Sequence, residues 1–169
     1  MKPHNRKPIS PDVALERLMA LCVGAEHCRH EMMAKLSSWG IAPDNASRII
    51  ATLKKSKFID DRRFAVAYAH DKARFNAWGS RKIRLGLLQK HIAADDITAA
   101  LAEIDPEDYR QGLLQTIRSK IISLGPEVSA TYEGRTKIFR HAASRGFEPE
   151  MIAGILRDRG LMDEMMQCR

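Results

Sequence analysis

The residues best placed to do chemistry are basic. Arg63, Lys72 and Arg74 lie on or beside the polar flank of one amphipathic stretch, and Arg81, Lys82 and Arg84 follow in the next. A guanidinium grips a carboxylate or phosphate through two parallel N–H donors, whereas lysine acts as a point charge. These six side chains are the first candidate contact surface, suited to an acidic protein face or a nucleic-acid backbone. Arg135, Lys137 and Arg140 form a second basic set, with Arg145, Arg157 and Arg159 nearby. The whole chain carries a formal charge of +7 and a pI near 9.5. That balance draws polyanionic or acidic partners.

Other chemistries find less support. The chain has no Gly-rich phosphate loop of the usual form and no HExxH metal motif. Its carboxylates fall mostly at expected helix caps, Asp60 and Asp61 among them, so no catalytic residue and no cofactor are assigned. Cys22, His27, Cys28 and His30 crowd together, but without the paired ligand spacing of zinc modules. They are read as a buried thiol with unrelated neighbours, and no metal is expected. Three cysteines in no staple pattern suit a reduced, cytoplasmic setting. No uncharged window is long enough to cross a bilayer, and no membrane partner is expected. Residues 1–10, basic and interrupted by proline, read as a disordered tail rather than a signal peptide.

Helices must position these groups. Aromatics make up only 6% of the 169 residues, so Leu, Ile, Ala and Met supply the apolar surface. Leu15, Leu18, Met19 and Cys22 form an i, i+3, i+4, i+7 stripe, as do Ala46, Ile49, Ile50 and Leu53. Between them, a helix from about Arg29 to Trp39 ends at Gly40. Asp60 and Asp61 open the next unit, where Phe64, Tyr68 and Phe75 form an aromatic stripe, with Phe64 and Tyr68 read as core residues. Gly79 and Ser80 restart the chain, Ile83 and Leu87 mark another helix, and a third carries Ile97, Ala100, Leu101 and Ile104. Asp105 and Pro106 begin the last unit, as a cap followed by a first-turn proline. Its helices end near Leu124, Gly146 and Gly160.

The pattern recurs. Trp39-Gly40-Ile41, Lys90-His91-Ile92 and Arg145-Gly146-Phe147 each precede an apolar pair at one fixed offset. Supersecondary repeats of roughly fifty residues give such a signature. The second interval is a few residues longer, an excess expected between Gly125 and Gly134. The fold expected is all-α: three tandem three-helix repeats at 11–59, 60–104 and 105–162, forming an elongated curved array, with a C-terminal tail at 163–169. Adjacent units should share some core. His91, standing where the other units have glycine, is expected to make a slightly different cap. No residues alternate in the manner of a strand.

Phe58-Ile59-Asp60-Asp61-Arg62-Arg63-Phe64-Ala65, followed by Tyr68, resembles the most diagnostic motif of the RecX family of recombination regulators. Gly79-Ser80-Arg81-Lys82-Ile83, with Leu87 and Ile92 behind it, is similar to the family's second signature. Lys137-Ile138-Phe139 leading to Arg145-Gly146-Phe147 resembles the third. The likeness runs from about Val13 to Gly160. Lys57 and His91 stand where the family commonly has glycine. The resemblance implies a non-enzymatic protein that binds RecA, free or as its filament on single-stranded DNA. It implies inhibition of ATP hydrolysis, strand exchange and coprotease activity. On this reading Asp60, Asp61, Phe64, Tyr68, Gly79, Ile83 and Gly146 are structural motif residues, and the two basic sets contact the partner.

The alternative is a DNA-binding architectural protein of little sequence specificity. Asp95, Asp96 and Glu103 would repel phosphates from the helix best placed for a groove, so weak non-specific DNA binding is the expectation. A monomer is the expected state.

Overall fold

The computed structural model describes residues 9–167, and among these all regular structure is helical. Helices α1 (Pro11–Gly24), α2 (Arg29–Ser38) and α3 (Pro43–Lys55) form the first group. Ser10 caps α1, its hydroxyl accepting from the Val13 amide at 3.3 Å, and Pro11 fills the first turn. Leu18, Met32, Leu36, Ile49, Ile50 and Leu53 close the core between the three.

The second group is α4 (Asp61–Arg74), α5 (Ser80–Gln89) and α6 (Ala94–Ala102), around Phe64, Ala69, Ile83, Leu87 and Ile97. The alanines on α4 let α6 approach closely. The third group is α7 (Pro106–Leu124), α8 (Pro126–Ala130), α9 (Tyr132–Ser144), α10 (Pro149–Arg157) and α11 (Arg159–Gln167). Leu113, Ile117, Ile138, Phe147 and Ile152 fill its core. Asp105 caps α7 by accepting from the Glu107 and Asp108 amides at 2.8 and 2.9 Å.

Helix α7·α9 and α9·α10 packing repeats the three-helix pattern, with two additions. The extra residues between Gly125 and Gly134 fold as α8, where Ser129 is fully buried and donates to the Gly125 carbonyl at 2.7 Å. At the other end a tail was expected from residue 163, with Gly160 ending the last helix. Instead the chain breaks at Asp158, whose carboxylate accepts from the Leu161 amide at 3.1 Å and starts α11. Met162 and Met165 are both 1% exposed against the α7 core, so burial of the methionines outweighs the helix-breaking tendency of Gly160. Residues 1–8 and 168–169, where the rest of the two expected tails falls, lie outside the described residues.

One further expectation is corrected. Phe75 is 72% exposed, because α4 ends at Arg74 and Phe75 turns away from the stripe it continues in sequence. Adjacent units do share some core, as expected. Three clusters form, and what bridges them is small: Cys28 joins the second from the chain before α2, and Tyr109 packs against the second and third.

Turns matching in sequence match in geometry. The amides of Ile41, Phe58, Ile92 and Phe147 each donate five residues back, to the carbonyls of Leu36, Leu53, Leu87 and Ala142. The preceding residues, Gly40, Lys57, His91 and Gly146, all have positive φ, from 57° to 94°. These are left-handed C-caps of one type. His91 does not make a different cap: it enters the left-handed region at φ 57° and accepts the strain.

Candidate partner-binding surface

Phe64, Tyr68 and Lys72 follow one another at i, i+4 along α4, so they stack in a row on one helical face. The Phe64 and Tyr68 rings lie 5.8 Å apart. Trp78, in the turn before α5, closes the row. Lys72 Nζ sits 5.3 Å from the centroids of both Tyr68 and Trp78, and Lys82 Nζ 4.5 Å from Trp78. At the other end Lys90 Nζ lies 5.7 Å from Phe64 and 5.8 Å from Tyr68. Cations and rings therefore alternate from Lys90 through Lys72 to Lys82. Phe64 is buried in the second core and the other members are half-buried, so these contacts hold the ammonium groups in fixed places against the core's edge.

Trp78 and Lys90 were not among the expected site residues. Both come from segments outside α4, and only the fold brings them to its aromatic row. Within one helix, the i, i+4 spacing of Phe64 and Tyr68 was legible, but Lys72 was placed on the polar flank rather than in line with them.

Arg81 and Arg84 are exposed on α5, with no ion pair among the described residues. Arg63 and Arg74 have other work. Arg63 Nε donates to Glu26 at 2.5 Å, and its Nη2 donates to the Lys57 carbonyl at 3.2 Å, tying the first group to the second. Arg74 Nε lies 3.8 Å from Asp108 at the start of α7. The central basic set thus divides into fastened side chains, Arg63 and Arg74, and presented ones, Lys72, Arg81, Lys82 and Arg84.

The scaffold beneath is polar and specific. Asp60 caps α4 through the Arg62 and Arg63 amides at 2.9 and 3.0 Å, and those amides pull its carboxyl below the usual range. Asp61 accepts from the Arg29 amide at 2.7 Å, capping α2 from a distant point in the chain. Glu31 pairs with Lys90 at 2.5 Å and with His27 Nδ1 at 2.9 Å. Burial alone would raise its carboxyl, but these two partners more than offset that and hold it low. The same contact offsets the burial of Lys90 and raises its ammonium above the usual range. The His30 and His91 rings pack against each other at 4.5 Å, tilted by 46°, and the Cys28 thiol is buried and pushed up, first by desolvation. The clustered His and Cys side chains therefore turn to different partners.

At the opposite junction, the start of α5 docks on the turn after α9. The Gly79 and Arg81 amides donate to the Arg145 and Gly146 carbonyls at 2.9 and 3.1 Å. Tyr109 accepts from the Ser80 amide and donates to Glu148, both at 2.7 Å, and burial first, then the Glu148 charge, raises its phenol well above normal. A Cβ on Gly79 would overlap the Gly146 backbone, which explains glycine there. Because these amides are consumed, the α5 N-terminus offers no free anion cradle despite its basic first turn. Ile83 sits one turn on, fully buried.

Of the second basic set, Arg135 and Arg140 meet Arg157 around a groove of about 440 Å³ between α9 and α10, while Lys137 points elsewhere and is exposed.

Residues 60–101 match the family model described as the second three-helix domain of RecX. A regulatory protein RecX of Xanthomonas axonopodis pv. citri (strain 306) is 30% identical over 155 residues, covering 92% of this chain and 93% of the relative. One from Clostridium botulinum (strain Eklund 17B / Type B) is 31% identical over 124 residues. There the chain spans 58% of the relative's length. The crystal structure of RecX from Lactobacillus salivarius superposes with a TM-score of 0.75 at 20% identity, covering 89% of this chain and 97% of that one. That likeness establishes a shared helical repeat fold. No helix among the described residues is long and apolar enough to cross a membrane.

Proposed function

The chain belongs to the RecX family of regulatory proteins, and from that premise we propose that it binds RecA, free or as its filament on single-stranded DNA, and restrains it. On this reading the protein is not an enzyme. It lowers ATP hydrolysis, strand exchange and coprotease activity by holding the filament in a conformation poorly suited to turnover. It acts in the cytoplasm, as a monomer. Several modest contacts spread over three groups of helices would raise affinity through effective concentration.

The alternating row of cations and rings on α4 and α5, together with the exposed Arg81 and Arg84 of α5, carries this reading. Guanidinium and ammonium groups of one sign suit acidic side chains or phosphates on a nucleoprotein surface. The same row would also meet bare DNA, which keeps the architectural alternative in view.

The test is ATP hydrolysis by preassembled RecA filaments titrated with the protein, beside binding to bare single-stranded DNA at the same salt. Saturable inhibition is expected, with tighter binding to filament than to DNA. Arg81→Glu with Arg84→Glu should weaken inhibition roughly tenfold or more without loss of helicity. Unaltered inhibition by that variant removes the α5 flank from the contact. Strong DNA binding with no effect on the filament favours the architectural protein.

A further inference from the structure

We propose that the groove between α9 and α10 is a docking site for a short acidic peptide segment of a partner protein, one that also carries a large apolar side chain. Tyr132, Arg135, Thr136, Phe139 and Arg140 recur at i, i+3, i+4, i+7 and i+8, so they form one continuous face of α9. Ala153, Leu156 and Arg157 supply the facing wall from α10 at i, i+3 and i+4. The floor is apolar, Phe139 and Leu156 being seated on the core below. Tyr132 stands at the groove's edge, 87% exposed.

Charge identifies the occupant. Among the described residues, three arginines line the groove and no carboxylate does. Arg135 Nε is buried yet has no acceptor among the described residues. A buried guanidinium donor normally finds a partner, and a carboxylate is the acceptor that fits its fork. The apolar floor asks for a side chain of the Leu or Phe kind beside that carboxylate. A second copy of this chain, at +7, is repelled. Segment 1–8, with Lys2, Arg6 and Lys7 and no acidic residue, carries the wrong sign. Nucleic acid satisfies the arginines and could stack a base on exposed Tyr132, but the recessed floor of Leu156 and half-buried Phe139 asks for a narrower apolar side chain. Binding of an acidic, amphipathic segment in such a groove follows the usual division, anchor side chain in the centre and charged pairs at the rim. The site is separate from the α4–α5 row and stands whether or not that row meets a filament.

The experiment is fluorescence anisotropy of the full chain with a labelled peptide alternating glutamate and leucine. A glutamate-only peptide and single-stranded oligothymidylate serve as competitors. Saturable binding is expected, with the glutamate-only peptide and oligothymidylate competing poorly. Arg140→Glu and Arg157→Glu, both at exposed positions, should each weaken it roughly tenfold. Tyr132→Ala should weaken it less, and Arg81→Glu with Arg84→Glu should leave it intact. Equal loss in that last variant would mean bulk charge attraction and overturn the proposal. So would glutamate-only peptide or oligothymidylate competing as well as the amphipathic peptide, or no saturable binding at all.

Discussion

Lys57 and His91 occupy left-handed caps that glycine adopts without penalty. A side chain there costs on the order of 1 kcal/mol. The two differ in what the side chain returns. His91 gains a tilted ring contact with His30 across the first junction, whereas Lys57 is exposed and contributes its carbonyl, which any residue retains. Lys57→Gly should therefore stabilise the protein by about 0.5–1 kcal/mol, partly offset by the greater freedom of glycine in the unfolded chain. His91→Gly should gain less, because the ring contact is lost. The urea midpoints of both variants at neutral pH read this directly. A lower midpoint for Lys57→Gly would show that the cap is not strained there.

At the scale of elements, the two junctions are built differently. The first relies on side chains reaching across: Arg63 to Glu26, Lys90 to Glu31 and Asp61 to the Arg29 amide. The second adds direct backbone contact, between the start of α5 and the turn after α9, to the side-chain links of Tyr109 and Arg74. Gly146 has φ 94°, and a Cβ on it would press on the backbone of Lys82. Gly146→Ala should cost about 2–4 kcal/mol, combining left-handed strain with forced separation of the two elements. Gly40→Ala, also at positive φ but with open space around it, should cost only about 1 kcal/mol. Equal losses in thermal unfolding would show that close packing at the second junction contributes nothing.

For the whole molecule, three small cores held by such junctions make the response to acid informative. The Glu31 carboxyl is held below its unfolded value. Its contribution is therefore complete above the ordinary carboxylate range and is lost as pH falls through the folded value. Lys90, raised, contributes below the ordinary lysine range and loses that only in strong alkali. The pair should be constant around neutrality and fail in acid, loosening the first group of helices from the second. Glu31→Gln should lower the urea midpoint at neutral pH, and the gap from the parent should close as pH drops. A gap of constant size across that range would show that the charge of Glu31 is irrelevant to the junction.

Helices, their caps and the RecX-like motifs were legible in the residues, because apolar spacing, capping side chains and first-turn prolines act over one or two turns. The repeat of Gly40, His91 and Gly146 announced one turn used again and again. Tertiary structure decided what depends on distant segments. It buried Met162 and Met165 and so made a helix of an expected tail, and it turned Phe75 outward where α4 stops. It fastened Arg63 and Arg74 to carboxylates from other groups while leaving Arg81 and Arg84 presented. It also brought Trp78 and Lys90 to the α4 row, and Arg157 to Arg135 and Arg140. Local spacing determines which face a side chain occupies on its own helix. Which charges stay free depends on what the rest of the chain lays against that face.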